Sequence, residues 1–212
     1  MSAADAITLD AAHFRALEEN KGGEVLRFWE CESPAVVVGA LATVGRQVDE
    51  DACLADGVPI VRRISGGGAV VLSRGCLNYS LILSLEARPE LRPVAVSYSL
   101  ILGPLLEALQ LPGLSISGTG DLAIGDRKVS GNAQRRGRRA LLHHGTLLYG
   151  FDVRLMTRYL KEPDRRPAYR GSRCHAEFVT NAPCAPGTIK LRMADAWSVM
   201  IECQNLSVGR YA

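Results

Sequence analysis

Residues 62–69 read Arg-Arg-Ile-Ser-Gly-Gly-Gly-Ala, flanked by two short apolar runs, Val58-Pro-Ile-Val61 and Ala69-Val-Val-Leu72. Three consecutive glycines remove every Cβ from a turn, so a ligand can press directly against backbone amides. The two arginines bring fork-shaped donors suited to carboxylate or phosphate oxygens. Each flanking run reads as a strand. The pattern predicts an anion cradle slung between strands, not a linker.

At 212 residues, with 47% hydrophobic and 22% charged side chains, the chain reads as one globular domain. No apolar run approaches the ~20 residues that a membrane span needs. The first residues, Met1-Ser-Ala-Ala-Asp-Ala6, carry no basic leader. A cytoplasmic protein without a membrane partner is therefore expected. Cysteines at 31, 53, 76, 174, 184 and 203 contain no C-x-x-C pair. Free thiols fit this better than a disulfide framework or a zinc site. The net charge of +3 conceals an asymmetry: residues 121–175 carry thirteen Lys/Arg against five Asp/Glu, whereas the first sixty residues are acidic. A basic half suits an anionic ligand, an acidic protein partner or nucleic acid, and equally a solvated face.

Apolar spacing predicts a helix over 8–20, with Leu9, Ala12, Phe14, Ala16 and Leu17 as its stripe and Asn20 at its end. Glu24–Glu30 and Pro34–Gly39 read as strands, the second too apolar to face water. Asp49–Asp56 reads as a short helix and Leu77–Leu85 as a buried strand. Gly103-Pro104 interrupts the helical spacing of Ser97–Leu109, which predicts a kink or a late start, since an interior proline costs roughly 3 kcal/mol. Gly118–Lys128 reads as a strand with a tight turn at Gly125-Asp126, and Ala140–Tyr149 returns as another. Asp152 is expected to cap a helix reaching Lys161. Residues 165–181 form an ordered loop around the site, and a final helix runs from Thr188 to Gln204. The mixture predicts an α+β fold with a largely antiparallel or mixed sheet flanked by helices.

The familiar phosphate motifs are missing. There is no G-x-x-x-x-G-K-[ST], and neither glycine cluster completes G-x-G-x-x-G at the head of a helix. H-E-x-x-H, paired-cysteine metal spacing and a G-x-S-x-G elbow are absent too. Lys128, in Gly125-Asp-Arg-Lys-Val-Ser-Gly-Asn-Ala-Gln134, stands just past the turn. Taken alone it reads as an exposed hairpin lysine. In a site, its compact ammonium could bridge a carboxylate and a phosphate and offset charge on a forming acyl phosphate. His143 and His144 follow on the returning strand. Successive strand side chains face opposite ways, so at most one histidine reaches a site on a given sheet face.

Arg62-Arg-Ile-Ser-Gly-Gly-Gly-Ala-Val70, Gly125-Asp-Arg-Lys-Val-Ser-Gly-Asn-Ala133 and His143-His-Gly-Thr-Leu-Leu148 together resemble, in order and spacing, three signatures of the lipoate–protein ligase A family. Tyr159-Leu-Lys-Glu-Pro163, Tyr169-Arg-Gly-Ser-Arg173 and Phe178-Val-Thr-Asn181 are similar to the family's downstream segments, so the resemblance covers roughly residues 8–205. It implies a single α+β catalytic domain of the biotin/lipoate-ligase type. It implies that Mg-ATP activates lipoate or octanoate to an acyl-adenylate. The acyl group then passes to a lysine of a lipoyl domain in a 2-oxoacid dehydrogenase complex, or of the glycine cleavage H protein. Carried over by position, Lys128 is the catalytic cation at the acyl carbonyl and phosphate. Arg63 and the backbone of Gly68, Ala69, Val70 and Val71 hold the nucleotide and adenylate phosphate. Ser65, Gly66 and Gly67 shape the acyl tunnel mouth. Ser130, Gly131, His144, Gly145 and Thr146 complete the substrate site, and Asp121 is implied as a Mg2+ ligand. Neither nucleic acid nor membrane is an expected partner.

Three departures stand out. Family members that complete activation alone usually carry a small additional C-terminal domain, whereas this chain stops at 212, which raises a separate accessory subunit, use of a preformed adenylate, or self-sufficient activation in a reduced form. Cys76 follows Gly75 where many ligases have Asn. Thr119-Gly-Asp121 replaces a pattern with Asn before Asp. The rival reading is octanoyl transfer through a cysteine thioester. Against it, residues 118–148 hold no cysteine. Leu141 occupies one class's nucleophile position, and Ser115, Ser117 and Thr119 lie where another class places its own. Biotin ligases use a Gly-Arg-Gly-rich loop in place of Ser65-Gly-Gly-Gly68. The run Arg135-Arg-Gly-Arg-Arg139 lacks the interleaved aromatics of a stacking mode. It is expected to dock an acidic acceptor domain.

Overall fold

A computed structural model describes residues 1–198. The chain opens with α1 (Ala3–Glu18), started by the Ser2 side chain, which accepts the Asp5 amide. β1 (Val25–Trp29) and β2 (Ala35–Val38) precede two short helices, α2 (Val44–Gln47) and α3 (Glu50–Ala55). Then come β3 (Ile60–Arg62), the glycine loop, β4 (Val70–Leu72) and the long β5 (Cys76–Ser84). α4 (Val94–Leu109) leads to four consecutive strands: β6 (Leu114–Ser117), β7 (Asp121–Ile124), β8 (Arg127–Arg136) and β9 (Ala140–Leu148). α5 (Arg154–Tyr159), α6 (His175–Phe178) and α7 (Pro186–Ser198) complete the described residues.

Six strands form an antiparallel sheet in the order β1-β5-β9-β8-β7-β6, and β3-β2-β4 form a small mixed sheet. Strand alternation divides the large sheet cleanly. Tyr79, Leu81, Leu141 and Leu147 face α4 and α7, where Ile101, Leu105, Ile189 and Trp197 fill a second layer. The opposite face meets α1 through Phe14, Leu17, Ile82 and Leu142, and continues through Cys76 and Leu148 into the small sheet. The α+β expectation and the mixed pairing are both met.

Several boundaries differ from expectation for local reasons. The first helix begins five residues early because Ser2 caps it, and its buried face is Ala3, Ala6, Ile7, Asp10, Ala11, Phe14 and Leu17, leaving Leu9 exposed. Pro104 lies inside an uninterrupted α4, so the expected late start does not occur. Burial of Ile101, Leu102, Leu105 and Leu109 outweighs the lost backbone bond. α5 is shorter than expected, although Asp152 does accept the Arg154 amide. α2 and β6 are unforeseen, both too short for a periodic signal. The last helix starts at Pro186, and its expected end at Gln204 lies outside the described residues.

The glycine loop crosses the end of β2, where Ala40 N–H donates to the Ser65 carbonyl at 2.8 Å and Arg63 N–H to that of Val38 at 3.0 Å. A Cβ on Gly39 would overlap the Gly67 carbonyl, whereas one on Gly66 would meet nothing within 4 Å. Gly39→Ala is therefore expected to lower stability by roughly 1–3 kcal/mol. Gly66→Ala should stay within about 0.5 kcal/mol of the parent in urea unfolding.

Candidate functional site

The loop is braced from below by Arg63. Its Nη2 donates to the carbonyls of Gly66 (2.6 Å) and Gly68 (2.9 Å), its Nη1 to that of Val37 (3.3 Å), and its Nε to Ser65 Oγ (3.0 Å). Gly67 is left-handed at φ +91°, and a Cβ there would sit 2.8 Å from Arg63 Nη2. The guanidinium is buried, and among the described residues no carboxylate pairs with it. Desolvation lowers its pKa to about 10, so it stays charged at neutral pH. Arg62 likewise donates to the carbonyls of Gly39, Ala40 and Ala42. Arg63 thus braces the glycine loop and Arg62 the segment after β2, rather than either reaching past them, and the charge of Arg63 leaves positive potential at the loop. One amide of the cradle, Ala69 N–H, already donates to Gln47 Oε1 at 2.7 Å.

A polar chain ties the loop to the large sheet. His144 Nε2 lies 2.6 Å from Ser65 Oγ, and its Nδ1 faces Asp10 Oδ2 at 3.6 Å. Asp10 also accepts from Ser80 Oγ at 2.6 Å and pairs with Arg27. A proton on Nδ1, toward the carboxylate, leaves Nε2 to accept the Ser65 hydroxyl. This Ser-His-Asp order resembles a hydrolytic triad. Yet Ser65 is fully buried, is held by Arg63 and lines neither cavity. It is a brace.

Two cavities meet here. The inner one, about 220 Å³, runs between the sheets past Ile7, Trp29, Val37, Leu72 and His144. The outer one, about 490 Å³, pairs apolar walls from Met156, Leu160 and Phe178 with the bases Lys161, Arg165 and His175. Gly68, Ala69, Val70, Lys128, Gly131 and Thr146 line both. Of the remaining expected site residues, Val71 and Ser130 line the outer cavity, and Arg63, Gly67, His144 and Gly145 the inner one. Gly66 lines neither.

Lys128 reaches this junction through a β-bulge. The β7–β8 register jumps between Leu122, opposite Ser130, and Ala123, opposite Lys128. The extra residue reverses the side-chain alternation. Val129 consequently enters the core under α4, while Lys128 joins Gly131 on the cavity side. A Cβ on Gly131 would lie 2.8 Å from Lys128 Nζ, so the ammonium rests directly on the strand backbone. Nζ pairs with Asp121 Oδ1 at 2.7 Å, and Tyr169 donates to Asp121 Oδ2 at 2.8 Å. Asp121, expected as a magnesium ligand, thus has both oxygens engaged. Among the described residues no three His, Cys, Asp or Glu side chains converge on a metal position.

Sequence reasoning misses Asp10, Trp29, Gln47 and Tyr169. Asp10 leaves a signal, an acid on the buried spacing of α1, and Tyr169 another, since it opens the family-like segment 169–173. The Arg135–Arg139 run is also less free than expected. Arg136 donates to the Ser97 hydroxyl and the Arg92 carbonyl, and Arg139 pairs with Glu86. Glu18 accepts the amides of Arg138, Arg139 and Ala140, which clasps the hairpin to α1 at the far end of β8 from Lys128.

Comparison with known proteins agrees with this architecture. At the level of fold, the chain superposes on a bi-partite lipoate protein ligase of Thermoplasma acidophilum with a TM-score of 0.74 at 21% identity, covering 92% of this chain and 77% of that one. A lipoate-protein ligase A bound with ATP gives 0.73 at 21%, covering 93% and 80%. The family model described as the lipoyl protein ligase A/B catalytic domain matches residues 2–183. The chain belongs to that family. A candidate lipoate-protein ligase A of Aeropyrum pernix is 37% identical over 140 residues, 64% of this chain and 51% of its own length. The lipoate-protein ligase A of Blochmanniella floridana is 30% identical over 220 residues, 97% of this chain and 62% of its own length. The octanoyltransferase LipM of Clostridioides difficile is 27% identical over 177 residues, 73% of this chain and 65% of its own length. The chain thus spans about half to two thirds of these relatives. No helix among the described residues is long and apolar enough to cross a membrane.

Two measurements test the polar architecture. Asp10→Ala strands the Arg27 guanidinium and is expected to cost roughly 3–5 kcal/mol in urea unfolding. His143, on the α4 face, lies parallel to Tyr79 and edge-on to Tyr98 and has Nδ1 bonded to Gln134. Burial pushes its pKa from 6.5 down to about 3. The unfolded chain therefore binds a proton that the folded one refuses. Stability from this residue is complete above pH 6.5 and is lost as pH falls toward 3, at up to about 1.4 kcal/mol per pH unit. His143→Gln should flatten that slope in unfolding measured between pH 5 and 7.

Proposed function

We propose that this chain is the catalytic domain of a lipoate–protein ligase that activates lipoate or octanoate with Mg-ATP and passes the acyl group to a lysine of an acceptor lipoyl domain or H protein. The observation that carries the reading is the meeting of the two cavities at Lys128, beside a glycine loop that sits over an unbalanced buried arginine. The inner cavity suits a narrow acyl chain, and the outer one, apolar with a basic rim, suits a nucleotide. A magnesium ion would be held chiefly by the nucleotide's phosphates and retained waters, and would offset charge on the phosphate oxygens.

In the first step an acid oxygen attacks the α-phosphorus and the bond to pyrophosphate breaks. In the second the acceptor amine attacks the acyl carbon, AMP leaves, and the amine loses its proton. Charge grows on phosphate oxygens in one step and on the carbonyl oxygen in the other. Both fall beside Lys128, where a fixed cation lowers the barrier. Gly68–Val70 and Thr146 line the junction, and a bound acyl chain and nucleotide would fill it and so limit water at a mixed anhydride that hydrolyses readily.

A second reading, transfer through a cysteine thioester, is raised by the octanoyltransferase relative. Its nucleophile has no evident place: among the described residues no cysteine lines either cavity. Burial of Cys76 pushes its thiol up to about 12.

Lipoate-dependent ATP–pyrophosphate exchange tests the proposal. Exchange that falls at least ~100-fold in Lys128→Ala is expected. No exchange, but transfer from synthetic lipoyl-adenylate, would assign activation to a separate accessory subunit. Transfer only from an octanoylated carrier, blocked by a thiol reagent, would overturn the ligase reading.

A further inference from the structure

Lys128 is not held by its own strand alone. Thr180 N–H donates to the Lys128 carbonyl at 2.8 Å, and Val179 forms a bridge beside it. Arg127 donates to the Val179 carbonyl at 2.8 Å, and Arg173 pairs with Asp126 at 2.8 Å. The loop from Pro163 to Val179 thereby grips both sides of the lysine hairpin. Its own side chains Arg165, Arg170, His175 and Phe178 line the outer cavity.

We propose that Asp121 and Tyr169 are positioning residues that aim the Lys128 ammonium and couple its direction to the occupant of the outer cavity. The inference rests on the ligase reading above. Three features carry it. Asp121 is the one anionic partner of Nζ among the described residues, and it takes one of three N–H donors. The two that remain are free for an acyl carbonyl and a phosphate oxygen. Tyr169 fixes the other carboxylate oxygen, and so the rotation of Asp121. The Tyr169 ring in turn packs on Phe178, centroids 5.0 Å apart, so a ligand pressing on the cavity wall presses on the tie. A flexible four-carbon stem would otherwise let the ammonium wander, and misplacement by about 1 Å can cost 100-fold in rate.

This assignment differs from metal ligation. A positioning carboxylate must keep its bond to Lys128 Nζ, a requirement that metal ligation does not carry.

The test uses the full chain and Tyr169→Phe, which keeps the ring packing and loses only the hydroxyl, alongside Asp121→Asn. The sequence has four lysines, at 21, 128, 161 and 190. NMR of 13C-lysine-labelled protein therefore resolves the Lys128 side chain, assigned with Lys128→Arg. Both variants should move the Lys128 ε-methylene signal and leave the other three in place. In single-turnover transfer from synthetic lipoyl-adenylate, the maximal rate should drop roughly 10- to 100-fold, the range carried by outer-shell partners of a functional group, with half-saturation within about twofold. An unmoved Lys128 signal in both variants overturns the proposal. So does weaker half-saturation with an unchanged rate, which would make Asp121 a ligand contact. If the unsubstituted chain transfers nothing, the ligase reading fails on its own, and the lysine signals still decide whether the tie exists.

Discussion

Everything at the centre of this molecule depends on burying one guanidinium that has no counter-ion among the described residues. Arg63 spends its donors on the carbonyls of Val37, Gly66 and Gly68 and on Ser65, and so holds a loop that has almost no side chains of its own. Neutral dipoles offset only part of the cost of taking a full charge out of water. The remainder is positive potential at the loop surface. A bound anion would relieve it, so the desolvation that shapes the loop would also favour an anionic ligand.

The large sheet then sorts chemistry by parity. His143 faces α4 and is held neutral by burial, whereas its neighbour His144 faces α1 and joins the Asp10–Ser65 chain. The same rule would send Lys128 into the core. One bulged residue in β8 exchanges it with Val129, so an apolar side chain fills the layer under α4 and the ammonium reaches the cavity junction. Bulges recur where a strand must re-aim a side chain, and here the re-aimed group is the site's cation.

Much of this is legible residue by residue. The apolar strand 77–85, the turn at Gly125-Asp126 and the glycine loop all report local geometry, and local geometry is written in adjacent residues. The departures are equally specific. Apolar spacing puts Leu9 on the stripe of α1 and Asp10 off it, because polarity ordinarily tracks exposure. Arg27 and Ser80, distant in sequence, provide the partners that let the acid be buried. Pro104 reads as a break because its cost is local and its compensation, four buried neighbours on α4, is not.

By itself the sequence determined the helices and strands of an α+β domain, a Cβ-free glycine loop and a lysine hairpin downstream of it, since each arises from contacts within a few residues. It also carried the family resemblance that the family match bears out. Only the tertiary structure decided that Arg63 braces the glycine loop and Arg62 the segment after β2, that Lys128 turns outward, and that Asp121 meets Tyr169 across 48 positions of chain. Those outcomes rest on which distant segments pack together, and no single segment holds that information.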